Sequence, residues 1–261
     1  MVAVSCLPCS YAKAWSPSDC QAPLTAWYKA DSISGSDGDS VGSWTDSSAN
    51  SNTVAQLTSA RQPSLQTDEL NGYPVLRFDG TNDILSDGDI SDLDVGTGDI
   101  WMACVFKSTD DSAVQNIFEK GATSFGLRVL ANGNLQICMG STTNAAVQNS
   151  GNWSRTAFVL MTASRNSNTN TGFINGSAAD STSLTDNNSI SNSDVLDIGS
   201  RAIGAGAMTG DIAEILLGGG TISEKELRTV EGYLADKYGL VGNLSSAHKY
   251  KKGKPWGLGK K

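Results

Sequence analysis

From residue 24 onward, short apolar runs alternate with clusters of glycine, serine, asparagine and aspartate. Leu24–Tyr28, Val75–Phe78, Ile100–Phe106, Phe125–Leu130, Leu135–Met139, Thr156–Thr162, Gly172–Ile174, Val195–Ile198 and Ile212–Leu217 each read as a strand by length and apolar content. Asn132-Gly133-Asn134 and Asn175-Gly176 supply hairpin turns, because asparagine and glycine tolerate the positive φ such turns require. Many short strands, tight turns and no alternating helices predict an all-β fold of two packed antiparallel sheets. One segment has a helical period instead. Ser223 opens a capping box that Glu226 completes, Leu227, Val230, Leu234 and Tyr238 fall on one face, and Gly239 ends the run. That face reads as core.

With 261 residues, one sandwich is enough, and a chain of this size buries about 70–75% of its extended surface without needing disulfides or metals. The chain divides into an arm over 1–22 punctuated by Pro8 and Pro17, a sandwich domain over 23–250, and a basic tail over 251–261. The formal charge of −8 understates the acidity of the body. Lys249, Lys251, Lys252, Lys254, Lys260 and Lys261 form the one basic cluster, and no acid follows Asp236. Such a body repels nucleic acid and anionic lipid. No apolar run approaches the ~20 residues of a membrane helix. The start, MVAVSCLPCS, lacks a basic n-region and reads as a poor secretion signal.

Cys6, Cys9 and Cys20 lie in the arm. C-x-x-C plus one cysteine begins a zinc pattern whose fourth ligand is missing, since His248 is the lone histidine, so a disulfide and free thiols remain the other readings. Cys104 and Cys138 sit in strand patterns and read as small core residues. His248 has no serine elbow or cysteine partner, and no G-x-S-x-G, P-loop or H-E-x-x-H is present, so it reads as a packing residue.

The motifs also come in a recognisable order. Leu24-Thr25-Ala26-Trp27-Tyr28-Lys29-Ala30-Asp31 is followed by Val41-Gly42-Ser43-Trp44-Thr45-Asp46, then by Leu70-Asn71-Gly72-Tyr73-Pro74-Val75-Leu76-Arg77-Phe78-Asp79-Gly80. Asp197-Ile198-Gly199-Ser200-Arg201, Gly210-Asp211-Ile212-Ala213-Glu214-Ile215 and the helix complete it. This series resembles the laminin G-like, concanavalin A-like jelly-roll family of environmental bacteria and of bacterial-virus structural proteins, over roughly residues 24–250. The resemblance implies a two-sheet antiparallel jelly-roll with one short C-terminal amphipathic helix.

It also implies places to look for chemistry. Related glycanases carry paired carboxylates on one strand. The nearest match is Asp211 and Glu214, which a strict two-residue period sends to opposite faces, so no enzyme is expected. Calcium is the one cofactor the family suggests, with Asp79 and Asp83 as candidate ligands, against an ordinary Asx-turn reading. For sugar, an aromatic platform flanked by amides and carboxylates is the expected design. Trp44 with Asp46, Asn50 and Asn52 is the first candidate, and Trp153 with Asn152 the second. The expected function is a non-catalytic virion surface protein, a decoration, fibre or appendage component that assembles with neighbouring subunits or its own copies and binds host-cell polysaccharide. The alternatives are a cellular or secreted (extracellular) carbohydrate-binding module and, behind it, a polysaccharide hydrolase.

Overall fold

A computed structural model describes residues 15–252 except 87, 110–112, 122–123, 141–145, 150–151, 181–183 and 203, with backbone alone at 146–148 and 184. Cys6, Cys9 and the lysines past 252 therefore lie outside the described residues. Among those described, two antiparallel sheets face each other. The first has nine strands: β1 (Ala26–Lys29), β4 (Ser64–Leu70), β5 (Tyr73–Asp79), β7 (Ile100–Ser108), β12 (Val159–Asn166), β13 (Thr169–Ile174), β14 (Ser177–Ala178), β15 (Leu184–Thr185) and β17 (Thr209–Gly219). The second has eight: β2 (Ser43–Trp44), β3 (Val54–Ala55), β6 (Leu85–Ser86), β8 (Gln115–Lys120), β9 (Phe125–Val129), β10 (Leu135–Met139), β11 (Ala146–Gln148) and β16 (Leu196–Ile198). The sandwich expected from the turn spacing is present.

Alternation along the strands decides what lies between the sheets. Leu76 and Phe78 of β5, Phe106 of β7 and Ile212 of β17 meet Phe118, Leu127 and Ile137 from the second sheet in one apolar core. The opposite face of the nine-stranded sheet carries a second cluster, in which Val75, Trp101, Val105 and Leu216 pack under helix α1 (Glu224–Lys237) through Leu227, Val230 and Leu234. The helix begins as its sequence predicts. The Glu226 N–H donates to Ser223 Oγ (3.2 Å) and Ser223 N–H donates back to Glu226 Oε2 (3.3 Å).

Two stretches differ from expectation. Trp15–Ala22, assigned to the arm, lies against the helix: Gln21 and Ala22 N–H donate to Glu226 Oε1 (2.8 and 3.3 Å), and Trp15 meets Tyr233 edge-on. The cap that starts the helix thus also anchors the chain entering the sandwich. Cys20 is a free thiol there, 3.7 Å from Glu226, and burial pushes its pKa up to about 11, away from nucleophile chemistry. At the other end, His248 is buried with its Nε2 2.8 Å from Glu231 Oε2, so it packs and hydrogen-bonds as expected.

The second difference is a β-bulge. On β17 the pairing with β7 runs Asp211↔Lys107 and Ile212↔Phe106, then resumes at Glu214↔Val105, leaving Ala213 unpaired. The extra residue shifts the two-residue phase by one, and Asp211 and Glu214 both emerge on the helix-bearing face. The expectation of opposite faces is overturned.

Candidate functional site

Helix α1 covers only part of that face. Where β5 and β7 end and β17 begins, an open groove of about 530 Å³ remains, flanked by the turn at Ser59–Arg61. Its floor is charged: Arg77, Lys107 and Asp211 point outward from three neighbouring strands, opposite the inward Leu76, Phe106 and Ile212. Around it stand Ser59, Gln62, Ser64, Thr109, Asp79 and Asp83, with Thr209 of β17 directly across from Asp79 of β5. Hydroxyls, an amide and ions around an open trough can hydrogen-bond a polyhydroxylated ligand.

The ionic floor is one network. Arg77 donates through Nε to Asp211 Oδ1 (2.7 Å) and through Nη2 to Oδ2 (3.1 Å), and Lys107 Nζ lies 2.7 Å from Oδ2. Arg77 also reaches Gln66 Oε1 and Glu69 Oε1, both at 3.0 Å. The adjoining carboxylates hold the Arg77 pKa above its ordinary value. Glu214, by contrast, is sealed under the helix. It accepts from Trp27 Nε1 (2.6 Å), Lys237 Nζ (2.7 Å) and Tyr238 Oη (2.8 Å). Asp211 and Glu214 therefore share a face without sharing a site.

Asp79 and Asp83 stand at the groove wall as turn residues. Asp79 N–H donates to Asp83 Oδ2 (2.9 Å) and Thr81 N–H to Asp79 Oδ1 (2.7 Å), with Gly80 at φ 79° between them. Burial, together with the neighbouring Asp79 charge, raises the Asp83 pKa to about 6. Calcium takes six to eight oxygens, and among the described residues no group of three or more His, Cys, Asp or Glu is placed to hold a metal ion. The pair fits the Asx turn rather than a metal centre.

The sugar platform expected at Trp44 is not a platform. Trp44 is fully buried, 5.7 Å from the Tyr28 ring, and has no face to offer. Asp46 accepts from Trp27 N–H (2.8 Å), Ser48 N–H (2.7 Å) and Asn52 N–H (2.9 Å), while the Asn50 and Asn52 amides donate to the Thr25 carbonyl (both 2.9 Å). These residues clasp the 46–52 loop to the start of β1. Trp153 is likewise in the core, donating to Gly133 O (3.2 Å) beside Phe106, and Asn152 holds Asp180. A buried indole cannot stack on a sugar.

One pair escaped the sequence. Glu119 of β8 and Asp197 of β16 are direct cross-strand partners on the outer face of the eight-stranded sheet, at a second groove of about 530 Å³ beside Arg201. Asp197 accepts from Ser86 Oγ (2.5 Å) and from the N–H of Ala202 (3.1 Å), whose φ is 54°. Far apart in sequence, they leave no local signal.

The concanavalin A-like lectin/glucanases superfamily matches residues 79–228, more than half of the chain. This chain belongs to that superfamily. No curated protein matches its sequence. Solved structures similar to this member include the binding domain of Paraclostridial Mosquitocidal Protein 1 (TM-score 0.60, 12% identity, 81% of this chain, 52% of the other). Domain 4 of a GH43 extracellular arabinanase from Geobacillus stearothermophilus, in complex with arabinotriose, is also similar (0.54, 14%, 79% and 97%). So is Trypanosoma rangeli sialidase in complex with sialic acid (0.55, 14%, 87% and 36%). The chain spans about a third of the length of the sialidase chains it matches. At these identities the likeness is one of fold, shared by the concanavalin A-like domain with parts of glycosidases.

Proposed function

We propose that the chain is a non-catalytic carbohydrate-binding module whose ligand lies in the groove over Arg77, Lys107 and Asp211. The observation that carries this reading is the open, hydroxyl- and charge-lined trough of about 530 Å³ left uncovered beside the helix. The arabinotriose held by the similar arabinanase domain supports it. A retaining glycosidase needs two carboxyl groups about 5–5.5 Å apart with the scissile bond between them. Here Asp211 is neutralised by two cations and Glu214 is closed off beneath α1. The setting we propose is the surface of a bacterial-virus particle, where neighbouring subunits or further copies of the chain are partners, or else the extracellular space. Sedimentation of the full chain tests self-association.

Two measurements test the main reading. Ser59→Trp fills the groove from an exposed position, and is expected to abolish glycan binding on an array while leaving the melting temperature in place. Retained binding would move the ligand elsewhere. Incubation with arabinan, glucans and galactans is expected to release no sugar. Turnover that disappears in Asp197→Asn would make the Glu119–Asp197 pair catalytic and end the non-catalytic reading.

A further inference from the structure

We infer that the groove selects uncharged glycans and turns away acidic ones, sialylated glycans included. The inference rests on the carbohydrate-binding reading above and specifies its ligand. Acidic sugars are held by cations that are free to meet them. In this groove both cations already converge on one internal carboxylate: Arg77 makes two contacts to Asp211, and Lys107 a third at 2.7 Å. Asp211 is 1% exposed, so it holds this ion cluster from below and a ligand cannot swing it aside. Two of the three other Arg77 donors are engaged as well, one on Nη1 by Gln66 and one on Nη2 by Glu69. Lys107 has the Phe158 ring on one side, 4.7 Å from its centroid, and Glu69 at 3.5 Å on another.

The rim beside these cations adds negative charge. Asp79 and Asp83 line the same trough, Asp79 two residues beyond Arg77 on β5. Their mutual repulsion is part of why Asp83 holds its proton up to about pH 6. The lining thus holds three carboxylates against two cations, with Glu69 a fourth carboxylate behind them. A carboxylate or sulfate entering here meets like charge and must compete with Asp211 for both cations. Hydroxyl groups meet no such obstacle, because ionised carboxylates accept from hydroxyls and the Ser59, Ser64, Thr109 and Thr209 side chains can donate or accept.

The test uses the full chain on a glycan array built of matched members, each neutral oligosaccharide beside its sialylated or uronic-acid counterpart, with affinities of the hits measured at low and high salt. The expected result is that each acidic counterpart binds at least tenfold more weakly than its neutral partner at low ionic strength. The gap should shrink in 0.5 M salt as the groove charges are screened. In the Asp79→Asn/Asp83→Asn variant, which leaves the Asp211 cluster in place, the gap is expected to narrow threefold or more. An acidic glycan that binds as tightly as its neutral partner, and is displaced in Ser59→Trp, would overturn the selectivity. An unchanged gap in the double variant would overturn its electrostatic cause. Absence of binding by any glycan of either charge is a different result, since it removes the carbohydrate-binding reading itself and this inference with it.

Discussion

Asp211 and Glu214 stand on one strand, on one face, and each is paired with a lysine at 2.7 Å, yet their surroundings differ. Glu214 is fully buried, with Lys237 only 7% exposed, and the rings of Tyr73, Tyr233 and Tyr238 surround the ammonium within 6 Å. Asp211 is equally deep, but its partner Arg77 is 40% exposed at the groove. The same chemistry therefore does two jobs. Under the helix it fixes the packing of α1 on the sheet, and beside the helix it shapes a surface that a ligand meets. The boundary between the two is the single bulged residue Ala213.

The sharpest way to break the sealed half is to remove one ion and leave the other. Lys237→Met leaves Glu214 buried without its cation and is expected to cost about 3–5 kcal/mol in chemical denaturation. Adding Glu214→Gln should recover a large part of that loss, since the amide oxygen can still accept from Trp27 Nε1 while the amide NH2 donates to the Tyr238 hydroxyl oxygen. A double variant no more stable than Lys237→Met would mean that the pair is not the coupled unit described here. Next in size is the packing beneath it. Leu234→Ala, at a position with no exposed surface, is expected to cost about 2–5 kcal/mol. A loss below about half a kcal/mol would show that α1 is not docked.

The open half should respond weakly. In Arg77→Ala, Lys107 still neutralises Asp211 and water enters the groove, so stability is expected to fall by only about 1 kcal/mol. A cost equal to that of Lys237→Met would erase the distinction between the two halves.

How much of this was legible depends on whether each signal is local. The helix was readable because its capping box, apolar face and terminal glycine lie within one short segment. Both Asn-Gly hairpins were readable for the same reason, and Asn175 and Gly176 indeed have φ of 51° and 73°. Strands β4 and β8 were not. Ser64–Leu70 is a polar edge strand. In Gln115–Lys120 a bulge lets Ile117 and Phe118 both enter the core, which removes the alternation that marks a strand. The bulge at Ala213 misled in the same way, turning a sound period-2 argument into a wrong prediction about Asp211 and Glu214. Trp44 with its polar neighbours had the composition of a sugar site, but composition does not tell a loop clasp from a binding surface. The groove itself joins Ser59, Arg77, Lys107 and Asp211 from separate parts of the chain, so only the sheet brings it into being.

The smallest expected effect is confined to one pH window, and it probes the open half through its acidic wall. Asp83 has a folded-state pKa of about 6 against an ordinary value of 3.8, raised by burial and by the charge of Asp79. A raised carboxyl pKa means that the folded state prefers the protonated form. Its contribution to stability is fully present below about pH 4 and is lost as pH rises through about 6. Asp83→Asn keeps an oxygen to accept the Asp79 N–H and removes the charge. The variant should therefore match the native chain near pH 4 and exceed it above pH 6. The gain should be about 1 kcal/mol or less once the solvent reaching the groove has screened the charges. Urea midpoints at pH 4, 5, 6 and 7 read this directly. Equal midpoints at every pH would mean that the acidic wall is fully solvated, with none of the low-dielectric character that lets it repel an acidic ligand.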